Sequence, residues 1–218
     1  MTFGTFLLTG QMNSVLGAAR GDDMDGYWSE AELRWQMFSM MAFGGKEISY
    51  FTYYRVPTES GTGEYIGIID NMGKNKTKAY EYTKNANEEF HKFFPVFDNF
   101  EYLGTTSVVG TRNKNGYNSL FDAFTINKVS SHYRIKNFKA SRDTLIGMFK
   151  DANGYDGFMI VNHEDPYYKR RDELEITFNN ATKAVVCNKG EQTIVGLENG
   201  VLKYSLEWGD GIFVIPLA

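Results

Sequence analysis

The sequence predicts an α/β segment followed by an all-β antiparallel sandwich. Three observations support this fold class. Residues 29–54 have the pattern of a helix that leads directly into a strand, and residues 77–94 have the pattern of a second helix. Beyond about residue 102, short apolar runs alternate with turn signals, as in antiparallel sandwiches and barrels. This change divides the chain into two predicted domains, 1–103 and 104–218.

The first helix and the strand after it are marked at both ends. Ser29 and Glu32 fit a capping box, in which a hydroxyl and a carboxylate satisfy the first free N–H groups of a helix. Gly44 and Gly45 predict the end of the helix, since glycine adopts the left-handed conformation that ends helices. Residues 48–54 are dense in β-branched and aromatic residues and predict a buried strand.

Further elements are predicted on either side of this unit. Residues 5–9 are short and apolar and predict a buried strand. The second helix is expected to end at Pro95, because proline does not continue a helix. In the second half, the clearest predicted hairpin joins residues 145–150 to residues 158–162, within a series of short strands separated by turns that contain glycine.

Composition excludes some classes of function. The 218 residues carry a formal net charge of −4, and this acidic balance argues against nucleic acid as a partner. No apolar run approaches the length of a membrane span, and the N-terminus lacks the pattern of a signal peptide, so the compartment stays unknown. The single cysteine, Cys187, excludes an internal disulfide and has no nucleophile motif around it. Aromatic residues reach 16%, which favours an aromatic core over a stacking surface.

Particular stretches resemble a known family. The residues AELRWQMFSMMAFGGKEISYFTYY, 31–54, resemble the seventh helix and eighth strand of β-galactosidase-like glycoside hydrolases built on a (β/α)8 barrel. Residues 66–90 are similar to the connection and final helix that follow, and the tail from residue 145 resembles an appended β-sandwich. The resemblance implies that residues 1–103 are partial (β/α)8-barrel elements, the C-terminal βα units of a TIM-barrel-like domain, and that residues 104–218 are an accessory domain.

This resemblance also implies an incomplete enzyme. Only about two of the eight strand–helix units of a barrel have room here, so the others would belong to a longer parent, a partner chain or a second copy. In the enzymes resembled, the acid/base glutamate lies on the fourth strand, which is absent, and the nucleophile lies on the seventh. The seventh strand would be residues 5–9, and Gln11 follows it where an acid is expected. The isolated chain is therefore predicted to be inactive, with no catalytic residue and no cofactor.

Sugar recognition is the chemistry that the remaining residues suit. Gln11 and Asn13 offer amide groups after one strand, while Tyr53 and Tyr54 offer flat rings at the end of another. Alternation along a strand predicts that Tyr53 and Tyr54 point to opposite faces. Trp28, just before the helix cap, is a further candidate. Structural packing is nevertheless the favoured role for Tyr53 and Tyr54, and a hydrophobic staple is the favoured role for Trp28.

Several alternatives stay open. Asp22, Asp23 and Asp25 invite a metal interpretation, as does the run 163–165, but a polar loop is favoured for each, and no metal is predicted. The expected partner is a carbohydrate ligand, with neither nucleic acid nor membrane, and a homo-oligomer or a partner chain that completes the barrel is also considered. The leading hypothesis is the C-terminal portion of a glycoside hydrolase. Its rivals are a stand-alone non-catalytic carbohydrate-binding or assembly module and a generic interaction sandwich.

Overall fold

Strands form most of the regular structure in the computed structural model, which describes residues 4–9, 28–54, 56–57, 64–65, 67–70, 73–112 and 131–218. In the first half the elements are β1 (Gly4–Leu8), α1 (Glu30–Ala42), β2 (Glu47–Phe51), β3 (Val56–Pro57), β4 (Glu64–Tyr65) and α2 (Lys78–Phe97). In the second half they are β5 (Phe100–Val108), β6 (Ile135–Ala140), β7 (Thr144–Asp151), β8 (Asp156–Asn162), β9 (Asp172–Phe178), β10 (Lys183–Asn188), β11 (Glu191–Gly196), β12 (Val201–Leu206) and β13 (Gly211–Leu217).

Helix α1 has the predicted ends. The Ser29 side chain accepts a hydrogen bond from the Glu32 backbone N–H, and the Glu32 carboxylate accepts one from the Ser29 backbone N–H at 2.7 Å. This reciprocal pair is the predicted capping box. The helix ends at Ala42, and Gly44 follows with a φ of +83°, the left-handed conformation that glycine adopts without strain.

Helix α2 extends past the predicted end at Pro95 and finishes at Phe97. Proline is costly in a helix interior because it removes one backbone hydrogen bond and crowds the preceding turn. Here Phe97 is fully buried, and its ring lies 5.0 Å from that of Phe149 and 5.6 Å from that of Phe213, centroid to centroid. The burial of Phe97 therefore favours one more helical turn, and the prediction that Pro95 ends the helix is wrong.

The strands form two larger sheets and two small pairs. One sheet has six antiparallel strands in the order β11-β10-β13-β8-β7-β5, and the other has three in the order β12-β9-β6. Strands β1 and β2 pair in parallel, with Leu8 opposite Phe51, and the short strands β3 and β4 pair with each other. The predicted hairpin of residues 145–150 and 158–162 is present as β7 and β8.

The central strands β7 and β8 of the six-stranded sheet are buried on both faces. Alternate residues such as Leu145, Phe149 and Met159 contact the two helices, in a core that also includes Leu7 of β1. The residues between them, such as Ile146 and Ile160, contact the three-stranded sheet. Successive side chains of a strand point to opposite faces, so a strand buried on both sides is apolar throughout.

The predicted fold class is therefore wrong. Strands make up 45% of the described residues, and the two helices are not partial (β/α)8-barrel elements that precede a separate sandwich. Both helices lie on the six-stranded sheet and share one core with it. Strand β5 crosses the position between residues 103 and 104, and the division of the chain into two domains there stays a prediction. Neither helix of the described residues is long and apolar enough to cross a membrane.

Candidate functional site

The carboxyl ends of β1 and β2 meet at Thr9, the residue directly after β1. Its backbone N–H donates to the Phe51 carbonyl at 3.0 Å, and its hydroxyl donates to the same oxygen at 3.1 Å. The Thr9 hydroxyl also accepts a hydrogen bond from the Thr52 N–H at 3.2 Å. Thr9 is fully buried, so these bonds fix the two strand ends against each other without competition from water.

Four large side chains are exposed around this junction, and together they form what we call the aromatic corner: Leu8, Phe51, Tyr53 and Tyr54. Their exposed fractions are 45%, 41%, 53% and 50% in that order. Leu8 and Phe51 are direct partners in the β1–β2 register, so their side chains are neighbours. Apolar side chains exposed singly need no explanation, but two exposed pairs that follow each other in the chain at the ends of two strands mark a candidate binding surface.

The two tyrosine rings contact each other. Their centroids lie 5.0 Å apart and their planes are perpendicular, an edge-to-face arrangement. The prediction that Tyr53 and Tyr54 point to opposite faces is wrong because β2 ends at Phe51 and the chain bends at Tyr53. The Tyr53 carbonyl accepts a hydrogen bond from the Ile69 N–H at 2.9 Å, which holds this bend in position.

The backbone of Trp28 also contacts this junction. Its backbone N–H donates to the Thr9 carbonyl at 3.4 Å, and it stands directly before the Ser29 helix cap. Three of the five predicted site residues, Trp28, Tyr53 and Tyr54, therefore belong to segments that meet at Thr9. Gln11 and Asn13 lie outside the described residues, and their part in a site stays a prediction.

Sequence reasoning missed Leu8, Thr9 and Phe51 as members of this surface. Alternation along β1 predicts that Leu7 and Leu8 point to opposite faces, and the structure shows that Leu7 is the buried one, with 1% exposed. The backbone of Leu8 is itself paired with an amide side chain. Its N–H donates to Gln36 Oε1 at 2.9 Å, and Gln36 Nε2 donates to its carbonyl at 3.1 Å, as a neighbouring strand would.

Tyr50 links the strand next to the aromatic corner to helix α2. It lies on β2, and its hydroxyl donates to Asn87 Oδ1 on α2 at 2.7 Å. Burial raises the pKa of Tyr50 to about 12, so the phenol stays neutral and remains a donor at physiological pH. This bond ties the strand that carries the tyrosine pair to the second helix.

The run 163–165 does not form a metal site. The ring of His163 stacks on Trp35 with centroids 5.0 Å apart, while Glu164 pairs with Arg170 at 2.6 Å. Asp165 instead caps a short 3₁₀ helix by accepting a hydrogen bond from the Tyr167 N–H. Within the part of the chain that the structure describes, no three His, Cys, Asp or Glu side chains converge as metal ligands. Residues 22, 23 and 25 fall outside that part.

The environment of Cys187 does not favour a reactive thiol. It lies in the core shared by the helices and the six-stranded sheet, with 2% of its surface exposed. Burial raises the pKa of its thiol to about 11, so the reactive thiolate is disfavoured.

No protein-family model matches this chain, and no curated protein matches it. The functional interpretation therefore depends on the side chains of the chain itself and on the geometry of the aromatic corner.

Proposed function

We propose that this chain binds carbohydrate at the aromatic corner, as the C-terminal, substrate-contacting portion of a glycoside hydrolase that resembles the β-galactosidases. The observation that carries this proposal is the exposed edge-to-face pair of Tyr53 and Tyr54, which follows directly after the end of β2. The glycoside hydrolase part of the proposal rests on the sequence resemblance of residues 31–54 alone, because the fold does not contain the barrel elements that this resemblance implied.

Perpendicular rings suit a sugar better than a flat apolar partner. One ring can stack on the C–H face of a pyranose, while the second forms a wall against the edge of the same unit. The tyrosine hydroxyls can then donate to or accept from sugar hydroxyls. A Kd of about 1 mM requires only about −4 kcal/mol, which two ring contacts and a few hydrogen bonds can supply. A weak, stacking-based interaction is therefore the expected mode.

We further propose that the chain supplies contacts and not the catalytic carboxylate pair. Retaining hydrolysis needs two carboxyl groups about 5–5.5 Å apart. The sequence resemblance aligns Gln11 with the position of the nucleophile in those enzymes, and an amide can bind a sugar hydroxyl but cannot act as a nucleophile. Turnover of aryl glycosides by the purified chain would contradict this part of the proposal.

The binding proposal is tested by titrating the purified chain with a panel of mono- and oligosaccharides in a calorimeter. The variant Tyr53→Ala/Tyr54→Ala is expected to lose binding. The matched control is Tyr167→Ala/Tyr168→Ala, because those rings are also exposed, also adjacent and also edge-to-face, with centroids 5.3 Å apart. Equal loss in both variants, or no binding by the unaltered chain, would contradict the proposal.

A second candidate function is a stand-alone carbohydrate-binding module. The observation that favours it is the single core in which Phe38 of α1 and Phe97 of α2 lie together with Phe213 of the six-stranded sheet. A shared core of this kind supports folding of the helices and the sheet as one unit without added barrel elements. One cooperative unfolding transition together with saccharide binding would favour this candidate, whereas separate melting of the helical part would favour a portion of a longer enzyme.

A further inference from the structure

A buried carboxylate lies beside the core between the two larger sheets. Asp156 is the first residue of β8 and is only 3% exposed. The hydroxyl of Tyr133, two residues before β6, donates a hydrogen bond to Asp156 Oδ2. Among the described residues, the other oxygen, Oδ1, is buried without a hydrogen-bond partner. The fold therefore gives this carboxylate one hydrogen bond, where most buried polar groups have more complete pairing.

Three basic side chains surround Asp156. Lys150 Nζ lies 3.5 Å from Oδ1, His132 Nε2 lies 3.7 Å from the same oxygen, and Arg134 Nε lies 3.7 Å from Oδ2. Burial lowers the pKa of His132, although Asp156 acts in the opposite direction, so this imidazole is neutral near pH 7. Arg134 and Lys150 are therefore the permanent positive charges that face the carboxylate and fix its position.

Tyr133 combines its bond to Asp156 with access from solvent. Its exposed fraction is 63%, against 41% to 53% for Tyr53, Tyr54, Tyr155, Tyr167 and Tyr168. Lys150 Nζ donates to the Tyr133 hydroxyl at 3.4 Å and lies 5.3 Å from the centroid of its ring. A hydroxyl oxygen can donate one hydrogen bond and accept two, so one lone pair of Tyr133 stays free for an incoming group.

We propose that Tyr133 is a nucleophile that accepts an acyl group from an activated ester, at a site separate from the aromatic corner. Its hydroxyl bonds a carboxylate that other side chains orient, which is the arrangement that activates nucleophiles. The phenol oxygen forms a bond to the ester carbonyl carbon while its proton passes to Asp156 Oδ2. The bond from that carbon to the leaving group then breaks, and the leaving group departs with the electron pair, which leaves an acyl ester on Tyr133.

Lys150 supplies the positive charge that this step needs. Its hydrogen bond with Tyr133, together with its attraction to Asp156, raises the pKa of Lys150, so the side chain stays an ammonium and does not compete as a nucleophile. An ammonium has three donors, and one of them can stabilise the negative oxygen that develops on the ester carbonyl. The Lys150 side chain is 40% exposed, so it can reach a group that approaches from solvent.

The charges of the site favour an acyl group over a phosphoryl group. A phosphoryl donor would bring negative charge against Asp156, where burial leaves the repulsion weakly screened. Arg134 is already engaged, because it donates to the backbone carbonyls of Pro216 at 2.9 Å and Asn180 at 3.3 Å. An ester carbonyl is neutral and develops a single negative charge, which Lys150 alone can stabilise.

The first test is acetylation of the full chain by para-nitrophenyl acetate. Peptide mapping by mass spectrometry gives the rate at every tyrosine of one sample, so the comparison needs no variant. We expect Tyr133 to be acetylated at least about tenfold faster than Tyr53, Tyr54, Tyr155, Tyr167 and Tyr168, because a positioned base accelerates proton removal. A rate at Tyr133 that is no higher than the rates at those tyrosines would overturn the proposal.

Two variants test the assigned roles. Asp156→Asn keeps the shape of the side chain but removes the proton acceptor, and Lys150→Met removes the ammonium. Each is expected to lower the rate at Tyr133 toward that of the other exposed tyrosines. The matched control is Lys203→Met, because Lys203 also lies near a carboxylate, 3.9 Å from Glu175, and is 77% exposed. Circular dichroism identifies variants that fold, and a folded Asp156→Asn or Lys150→Met chain that keeps the full rate would overturn the proposal.

Discussion

The guanidinium of Arg34 donates two hydrogen bonds to the carboxylate of Glu89, from Nε to Oε2 at 2.8 Å and from Nη2 to Oε1 at 2.9 Å. Both side chains are only 12% exposed. The third guanidinium nitrogen, Nη1, lies 2.6 Å from Asp210 in the turn before β13. One arginine therefore joins α1 and α2 to the turn that leads into the six-stranded sheet.

Replacing Arg34 is expected to destabilise the protein strongly. Arg34→Met leaves the carboxylates of Glu89 and Asp210 without this partner in the interior, and breaking a buried pair in this way costs about 3–5 kcal/mol. Denaturant unfolding measures the change in the free energy of unfolding. The matched control is Arg171→Met, because Arg171 makes the same two-bond contact with Glu207 but is 61% exposed. The control should cost less than about 1 kcal/mol, and equal losses would contradict the role assigned to Arg34.

The contact between α1 and β7 depends on a residue without a side chain. A Cβ atom at Gly147 would fall well inside van der Waals contact with the Ala42 carbonyl at the end of α1. Gly147→Ala should therefore destabilise the protein by about 1–3 kcal/mol, the usual cost of overpacking. Gly196→Ala on β11 has no atom within 4 Å of the new methyl group and should leave the thermal midpoint nearly unchanged. Similar midpoint shifts for the two variants would contradict this packing.

His163 should make stability depend on pH in the acid range. Burial lowers the pKa of its imidazole from 6.5 to about 4, although Asp143 acts in the opposite direction. The unfolded chain therefore binds a proton at a higher pH than the folded chain does. The contribution of neutral His163 to the free energy of unfolding is therefore complete above pH 6.5. It is lost as the pH falls toward 4, by an amount on the order of 3 kcal/mol.

The variant His163→Phe tests this dependence. Phenylalanine keeps a ring against Trp35 but cannot titrate, so the free energy of unfolding should vary less between pH 6.5 and pH 4 than in the unaltered protein. His91 is exposed on α2, and His91→Phe serves as the control that should keep the full pH dependence. An unchanged slope in His163→Phe would exclude His163 as its source.

Local signals in the sequence predicted local structure well. The hydroxyl–carboxylate pair of Ser29 and Glu32 predicts the start of α1, and Gly44 predicts its end, because caps depend on residues within one turn. The β7–β8 hairpin is likewise specified by two apolar runs and the turn between them. Pro95 misled the prediction of α2, because the core that buries Phe97 is formed by strands far along the chain.

The fold class failed for a different reason. The apolar runs of β7 and β8 indicate strands buried on both faces, but they do not reveal which element covers each face. Assigning the helices to barrel elements left one face of these strands without a partner, whereas α1 and α2 cover it.

At the candidate site, Trp28, Tyr53 and Tyr54 could be selected from their positions at element ends. The contact between the two tyrosine rings could not be predicted from the sequence, since it depends on a bend in the chain after Phe51.

The central claim is that a sugar binds at the aromatic corner, and the most direct measurement is NMR of the chain with isotope-labelled tyrosine rings. Single Tyr→Phe variants assign the signals, and an oligosaccharide that binds in the calorimeter is then added. We predict shifts confined to Tyr53 and Tyr54. Tyr155 provides an internal comparison, because it lines a separate depression of about 550 Å³ near Val96 and Ile215. Shifts at Tyr155 or at Tyr167 and Tyr168, with Tyr53 and Tyr54 unchanged, would contradict the claim.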